Sequence, residues 1–203
     1  MSSAARRSPP PLPAGFYARP VVEVARDLIG CTVVHGEAAA LIVETEAYHE
    51  SEPACHAFAG LTARTRTLFG PPGRAYVYRS YGIHALLNAV AEPEGVGAAV
   101  LIRALEPLEG VEAMRARRRL DGLHDLCSGP GKLTQAMGIG LNHNEVDLGA
   151  GVVRLQPRHE TFGDAIVAAP RVGITRAAEL PWRFCVAGSP FVSRPRPPVV
   201  VPG

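Results

Sequence analysis

Glycine and proline punctuate this sequence from end to end: 21 glycines and 19 prolines among 203 residues, against a usual combined share of about 12%. Glycine loosens and proline breaks long helices, so the surplus argues against a helical bundle and for short strands joined by many turns. The length fits one domain with a sizeable core. No apolar run reaches the roughly 18 residues that a membrane helix needs. The N-terminal MSSAARRSPPPLPAG carries arginines but no apolar segment, so it does not read as a secretory signal. With no targeting signal seen, the expected compartment is the cytoplasm, nucleoid-associated if the chain is bacterial.

Residues 1–13 and 194–203 are proline-rich and aperiodic, and read as tails, disordered or draped on the surface, around a domain over 14–193. Pro20 opens a short helix that Gly30 ends, and strands at 31–35 and 38–48 pair across Gly36-Glu37. A long polar segment, 49–74, follows; a loop of that length inside a domain is usually functional. Strands are expected at 75–80, 84–91, 97–105, 152–156, 170–174 and 183–187, and helices at 108–119 and 130–137. The whole reads as a single α+β domain: a curved, largely antiparallel β-sheet with a protruding β-hairpin and short helices around it.

The net charge is only +2, but all of the 21 basic residues except Lys132 are arginine, the side chain best suited to planar, bidentate phosphate contacts. A GC-rich coding sequence would give the same bias, so placement matters more. Arg64, Arg66, Arg74 and Arg79 fall close together, and Arg115, Arg117, Arg118 and Arg119 form a second group that a solvated helix face would explain. The four cysteines are scattered and read as small buried hydrophobes. His49, Glu50, Glu52, Cys55 and His56 are the one metal-like cluster, without the helical spacing of a zinc-protease site because Pro53 interrupts it. Gly131-Lys132 fails as a phosphate loop, since Leu133 and Leu126 stand where Ser/Thr and glycine are required.

Two segments carry chemistry. In LIVETEAY (41–48) the period of a strand puts Glu44, Glu46 and Tyr48 on one face. Either that face is solvated, or a central strand buries a carboxylate whose shifted pKa makes it a general base. In AYVYRSYG (75–82) Tyr76 and Tyr78 share a face, and Tyr81 stands at the hairpin tip, where no core needs filling. A tip aromatic amid arginines has the form of a wedge that unstacks base pairs, with nearby tyrosines to stack a base. In Ser128-Gly129-Pro130-Gly131-Lys132, Ser128 and Pro130 either cap and open a helix or present free N–H groups and Lys132 to a phosphate.

IVETEAY (42–48), FGPPGRAYVYRSYGIHALLN (69–88), VLIRALEPLEG (100–110), LCSGPGKLTQAM (126–137) and the C-terminal RVGI and RFCVAGSPFVS occur in this order over residues 14–193. In these blocks the chain resembles the alkyladenine (3-methyladenine, or methylpurine) DNA glycosylases, the family of the mammalian enzyme. The resemblance implies a monomer that acts on double-stranded DNA containing damaged purines and needs neither metal nor cofactor. Glu46 would be the general base that activates a water to attack C1′ of a flipped-out nucleotide, with Arg103 and the carbonyl of Val172 holding that water. Tyr48, His56 and Tyr78 would sandwich the base, Asn88 would clash with the 2-amino group of normal guanine, and Tyr81 would fill the vacated space. Alongside these, Arg64, Arg66, Arg79 and Lys132 are the expected phosphate contacts.

Chemistry agrees with these roles: a carboxylate stabilises an oxocarbenium-like sugar while deprotonating water, and a base alkylated on a ring nitrogen is cationic, leaves readily and stacks on electron-rich rings. A strand-cutting glycosylase needs an amine, and only Lys132 and the N-terminus supply one, so the expected enzyme is monofunctional. Thr65 departs from the family's asparagine, His84 from an aromatic and Ile83 from methionine. Asn88 shares a face with Tyr78 only if the hairpin loop has three residues, 81–83, or a bulge. The rival readings are a non-catalytic nucleic-acid-binding module and a metal-dependent hydrolase on His49, Cys55 and His56.

Overall fold

The computed structural model describes residues 9–80, 82–158 and 162–198. Its spine is two twelve-residue strands, β2 (Ala38–His49) and β5 (Ala98–Glu109), antiparallel over nearly their whole length. Both are covered on each face, which is why they read as near-continuous apolar runs. The far edge of β2 is shared: β1 (Thr32–His35) pairs with its start and β8 (Arg183–Val186) with Glu44–Glu46. Beyond β5 lies β4 (His84–Val90) and then β3 (Ala75–Ser80), while β6 (Val153–Gln156) extends β1 and β7 (Ile166–Ala169) pairs with β8. The result is the expected α+β domain on one curved antiparallel sheet. Register shifts between β2 and β5 flank Glu44, and such bulges bend a strand and re-aim its side chains.

Helix α1 (Ala14–Tyr17) precedes α2 (Val21–Asp27), which buries Val21, Val24 and Ala25. The Thr45 hydroxyl donates to the Ala25 carbonyl at 2.7 Å and fixes α2 to β2. Helix α3 (Val111–Arg118) packs on α4 (Pro130–Met137). The second arginine group ties the two together: Arg117 donates to the Ala136 carbonyl at 3.0 Å and Arg118 to the Gln135 side chain at 2.6 Å. A small apolar cluster of Cys55, Ala57, Leu68, Tyr76, Val90 and Ala99 sits apart from the main core, under the segment after β2.

Several expected bounds move, each for a local reason. No strand forms over 170–174; β7 ends at Ala169, because Pro170 lacks an N–H and Gly173 turns at φ +79°. The helix expected from Leu108 begins at Val111, since β5 runs on to Glu109 and Gly110 turns the chain at φ +69°, so close to Glu37 that a Cβ would lie 2.6 Å from its carbonyl. The segment 49–74 is not structureless: it holds 3-10 turns at His56–Ala59 and Arg66–Phe69. Of the tails, 1–8 and 199–203 lie outside the described residues. In the remainder, Leu12 is buried with its N–H on the Leu155 carbonyl (2.9 Å), and the Pro195 carbonyl accepts from Arg183 at 2.9 Å. Among the described residues no helix is long and apolar enough to cross a membrane.

Candidate active site

The β3–β4 register pairs Ser80 with His84 and Tyr76 with Asn88. The loop is therefore 81–83, the three-residue form that puts Tyr76, Tyr78 and Asn88 on one face. Tyr81 itself lies outside the described residues; beside it Gly82 has φ +74° and Ile83 is 77% exposed.

That face forms one wall of a cleft of about 620 Å³, closed by the segment after β2, the start of α4 and residues 172–174. Tyr48, His56, Tyr78 and Asn88, far apart in the chain, all line it. The rings of Tyr76 and Tyr78 stack with centroids 5.3 Å apart, and His56 meets Tyr78 edge-on at 4.7 Å. His56 Nδ1 lies 3.1 Å from the hydroxyl of the buried Tyr76, which thereby also orients the histidine. The Asn88 amide is fixed by donation to the Tyr76 carbonyl at 3.0 Å. Burial and then the nearby Arg64 lower the His56 pKa, which favours a neutral imidazole; burial pushes the Tyr78 phenol up to about 12.

Behind Tyr48 the two carboxylates of β2 are both 0% exposed, which overturns the solvated-face alternative. Glu46 Oε2 accepts from the Tyr48 hydroxyl (2.8 Å) and from Arg103 Nη1 (3.2 Å), and Oε1 accepts from the Val172 N–H (2.7 Å). Arg103 Nη1 also lies 3.5 Å from the Val172 carbonyl. Burial raises the Glu46 pKa, with Arg103, the Val172 N–H and the Tyr48 hydroxyl pulling it back. Tyr48, Arg103 and Val172 line the cleft at this end, so the groups that grip Glu46 are the ones a ligand would touch. A carboxylate has about four acceptor positions; three are filled, which leaves one on Oε1, beside Val172.

Of the expected phosphate contacts, Arg64, Arg79 and Lys132 line the cleft and Arg66 does not: its exposed guanidinium faces Glu145 at 3.4 Å. Helix α4 begins at Pro130 after Gly129, with no side-chain cap, so Ser128 is not the N-cap; it accepts from Lys132 Nζ at 3.4 Å. The metal-like cluster resolves into structural contacts. Glu50 accepts from the Gly97 N–H (2.8 Å), Glu52 pairs with Arg171 (2.7 Å) and Cys55 Sγ accepts from the Ala57 N–H. Among the described residues no three His, Cys, Asp or Glu side chains converge as a metal site.

The family model for Methylpurine-DNA glycosylase (MPG) matches residues 15–190, nearly the whole domain that builds this cleft. This chain belongs to the methylpurine-DNA glycosylase family. It is 52% identical over 201 residues to a protein of Bradyrhizobium diazoefficiens, spanning 97% of this chain and 100% of that one. It is 56% identical over 187 residues to a protein of Rhodopseudomonas palustris (strain HaA2), 92% of each chain, and 51% over 189 residues to one of Methanoculleus marisnigri. All three carry the name "Putative 3-methyladenine DNA glycosylase". As a methylpurine-DNA glycosylase the chain is a DNA glycosylase, a DNA-repair hydrolase of N-glycosyl bonds whose substrate is DNA.

Within this methylpurine-DNA glycosylase fold two of the three departures, Thr65 and His84, have local roles. The Thr65 hydroxyl takes the Thr62 N–H (2.8 Å) and donates to the Gly60 carbonyl (2.9 Å), which pins the segment carrying Arg64. His84 packs onto the start of α4 so closely that a Cβ on Gly131 would lie 2.8 Å from its ring. Sequence reasoning missed the partners of Glu44: Arg183 Nε (2.6 Å), Arg103 Nε (3.1 Å), and the N–H and hydroxyl of Ser193 (2.8 and 2.9 Å). It also missed Arg171. Both arginines stand inside quoted motif blocks, RVGI and RFCVAGSPFVS, but nothing local in sequence marks which carboxylate each meets.

Proposed function

We propose that this enzyme is a monofunctional, monomeric glycosylase of base excision repair that works without metal or cofactor. It flips a damaged purine into the cleft and hydrolyses the N-glycosidic bond with a water activated by Glu46, leaving an abasic site. The substrate class is 3-methyladenine, 7-methylguanine, hypoxanthine and ethenoadenine. The observation that carries the reading is Glu46: a fully buried carboxylate of raised pKa, gripped from three sides directly behind a cleft walled by Tyr48, His56 and Tyr78. A binding module has no use for such a group, whereas a general base needs a pKa lifted toward the working pH. The water sits at the remaining Oε1 position, between Glu46, the Val172 carbonyl and Arg103, and attacks C1′ as the bond to the base lengthens. Asn88 disfavours the 2-amino group of undamaged guanine from the hairpin side; 7-methylguanine meets the same clash, and its cationic, readily leaving base offsets it. The deciding measurement is base release from duplexes carrying each lesion in turn, with borohydride trapping alongside; release with no trapped adduct is expected, and an adduct at Lys132 would defeat the monofunctional assignment.

Arg64, Arg79 and Lys132 contact phosphates in this reading, and Arg66 does so only by giving up Glu145. Each of the first three changed to alanine should flatten the slope of log K against log salt by about one unit. Arg66→Ala should change it less. Unchanged slopes for all four would reject this face as the DNA surface.

Tyr81 is the wedge that holds the extruded state. Tyr81→Ser should slow hypoxanthine release from a duplex by about ten- to a hundredfold, the worth of one stacked base. It should matter little in a single strand, where no hole opens. An equal loss on both substrates would mean that Tyr81 shapes the fold.

A further inference from the structure

The two walls of the base pocket differ in what stands behind them. Tyr78 is backed by Tyr76, ring on ring. Tyr48 is backed by a cation: Arg171, a buried residue, lays its guanidinium carbon 4.6 Å from the Tyr48 ring centroid and 5.4 Å from that of Trp182. Tyr48 lines the cleft and Arg171 does not, so the guanidinium lies on the ring face turned away from it. Its fork is held by Glu52 (2.7 and 3.1 Å) and by the carbonyls of Ala47 (2.9 Å) and Ala177 (3.2 Å). Its Nε is buried with no hydrogen-bond partner among the described residues.

We infer that Arg171 is a specificity-determining residue that biases the Tyr48 platform toward neutral purines and against cationic ones. The inference rests on the function proposed above. A guanidinium over one face of an aromatic ring draws on its π-electron density and leaves the other face a poorer host for a second cation. A purine alkylated on a ring nitrogen brings such a charge; hypoxanthine and ethenoadenine do not. Electron-rich tyrosines on both sides would favour cationic bases, and here only the Tyr78 side is free to do so. Glu52 offsets part of the Arg171 charge, so the bias is graded. It keeps cationic bases, which leave readily, from monopolising a pocket that must also accept neutral ones.

The test is the ratio of single-turnover release rates, 7-methylguanine over hypoxanthine, in matched duplexes at one pH. A purely structural role for Arg171, holding the loop that carries Val172, would lower both rates together and leave the ratio alone. Removing the pair as Glu52→Gln with Arg171→Gln keeps hydrogen-bonding capacity and removes both charges; the ratio should rise by about three- to thirtyfold, the span of cation–π strengths. Arg171→Lys keeps the charge and should hold the ratio near wild type. Glu52→Gln alone leaves the guanidinium uncompensated and should lower it, which serves if the double variant does not fold. An unchanged ratio in both charge-altering variants, or shifts of the opposite sign, overturns the inference. If only one lesion is released measurably, its rate is compared with that of Arg171→Lys: a cationic base should leave faster from the double variant, a neutral one should not, and the reverse overturns the inference. Release of neither base by the wild type would instead overturn the proposed function.

Discussion

Glu46→Gln should stop base release while the duplex still binds. General-base catalysis contributes about a hundred- to ten-thousandfold, and a glutamine cannot take a proton from water, so the loss should be at least of that order. The amide keeps the outline of the side chain, and its oxygen can still accept the Val172 N–H that now binds Oε1 at 2.7 Å. Wild-type rate should rise with pH as Glu46 ionises, with a midpoint above the ordinary glutamate value because burial favours the neutral acid. The protonated form below the midpoint is idle and the carboxylate above it is active; in Glu46→Gln that limb should vanish. Glu44 gives the control. It reaches the cleft only through Arg103, so Glu44→Gln should lower stability while leaving a pH-dependent rate in the protein that remains folded. Equal loss of rate at both positions with equal stability would show that the base has been assigned to the wrong carboxylate.

The spine of the fold was legible because its signals are local. A Gly36-Glu37 turn between apolar runs gave β1 and β2 almost to the residue, and the PGKLTQAM block gave α4 to both ends. Requiring Tyr78 and Asn88 to face the same way left either a three-residue hairpin loop or a bulge, and the register selects the loop. What failed was local pattern without its partner. The apolar residues of 170–174 look like a strand, yet Pro170 and Gly173 deny it a ladder. At the site, periodicity placed Glu44 and Glu46 on one face but could not say whether that face was wet, since this depends on Arg103 and Arg183, dozens of residues away. Glu52 shows the same limit in reverse: beside two histidines and a cysteine it resembled a metal ligand, and only the folded chain brings Arg171 to it.

Arg103→Met should be the most destabilising single change in the site, and its cost should depend on pH. Arg103 is shared by Glu44 and Glu46, while Arg183 holds Glu44 from the other side. Two carboxylates thus face two guanidinium groups, all four residues being buried. Removing one partner of a buried pair typically costs about 3–5 kcal/mol, because the remaining charge stays out of water. For a domain of this size that is on the order of 10 °C in Tm. Without Arg103, Glu46 keeps only two neutral donors, so its folded-state pKa should climb further above the unfolded value. A carboxylate raised in this way weakens the fold as pH rises through the interval between those two values and is nearly without effect below it. The deficit of Arg103→Met against wild type in urea unfolding should therefore be larger at pH 8 than at pH 5. Arg103→Met combined with Glu46→Gln should recover part of the stability, since the orphaned charge is gone, and none of the activity. A deficit of the same size at both pH values would assign Arg103 a packing role, and the network of shared charge behind the cleft would have to be abandoned.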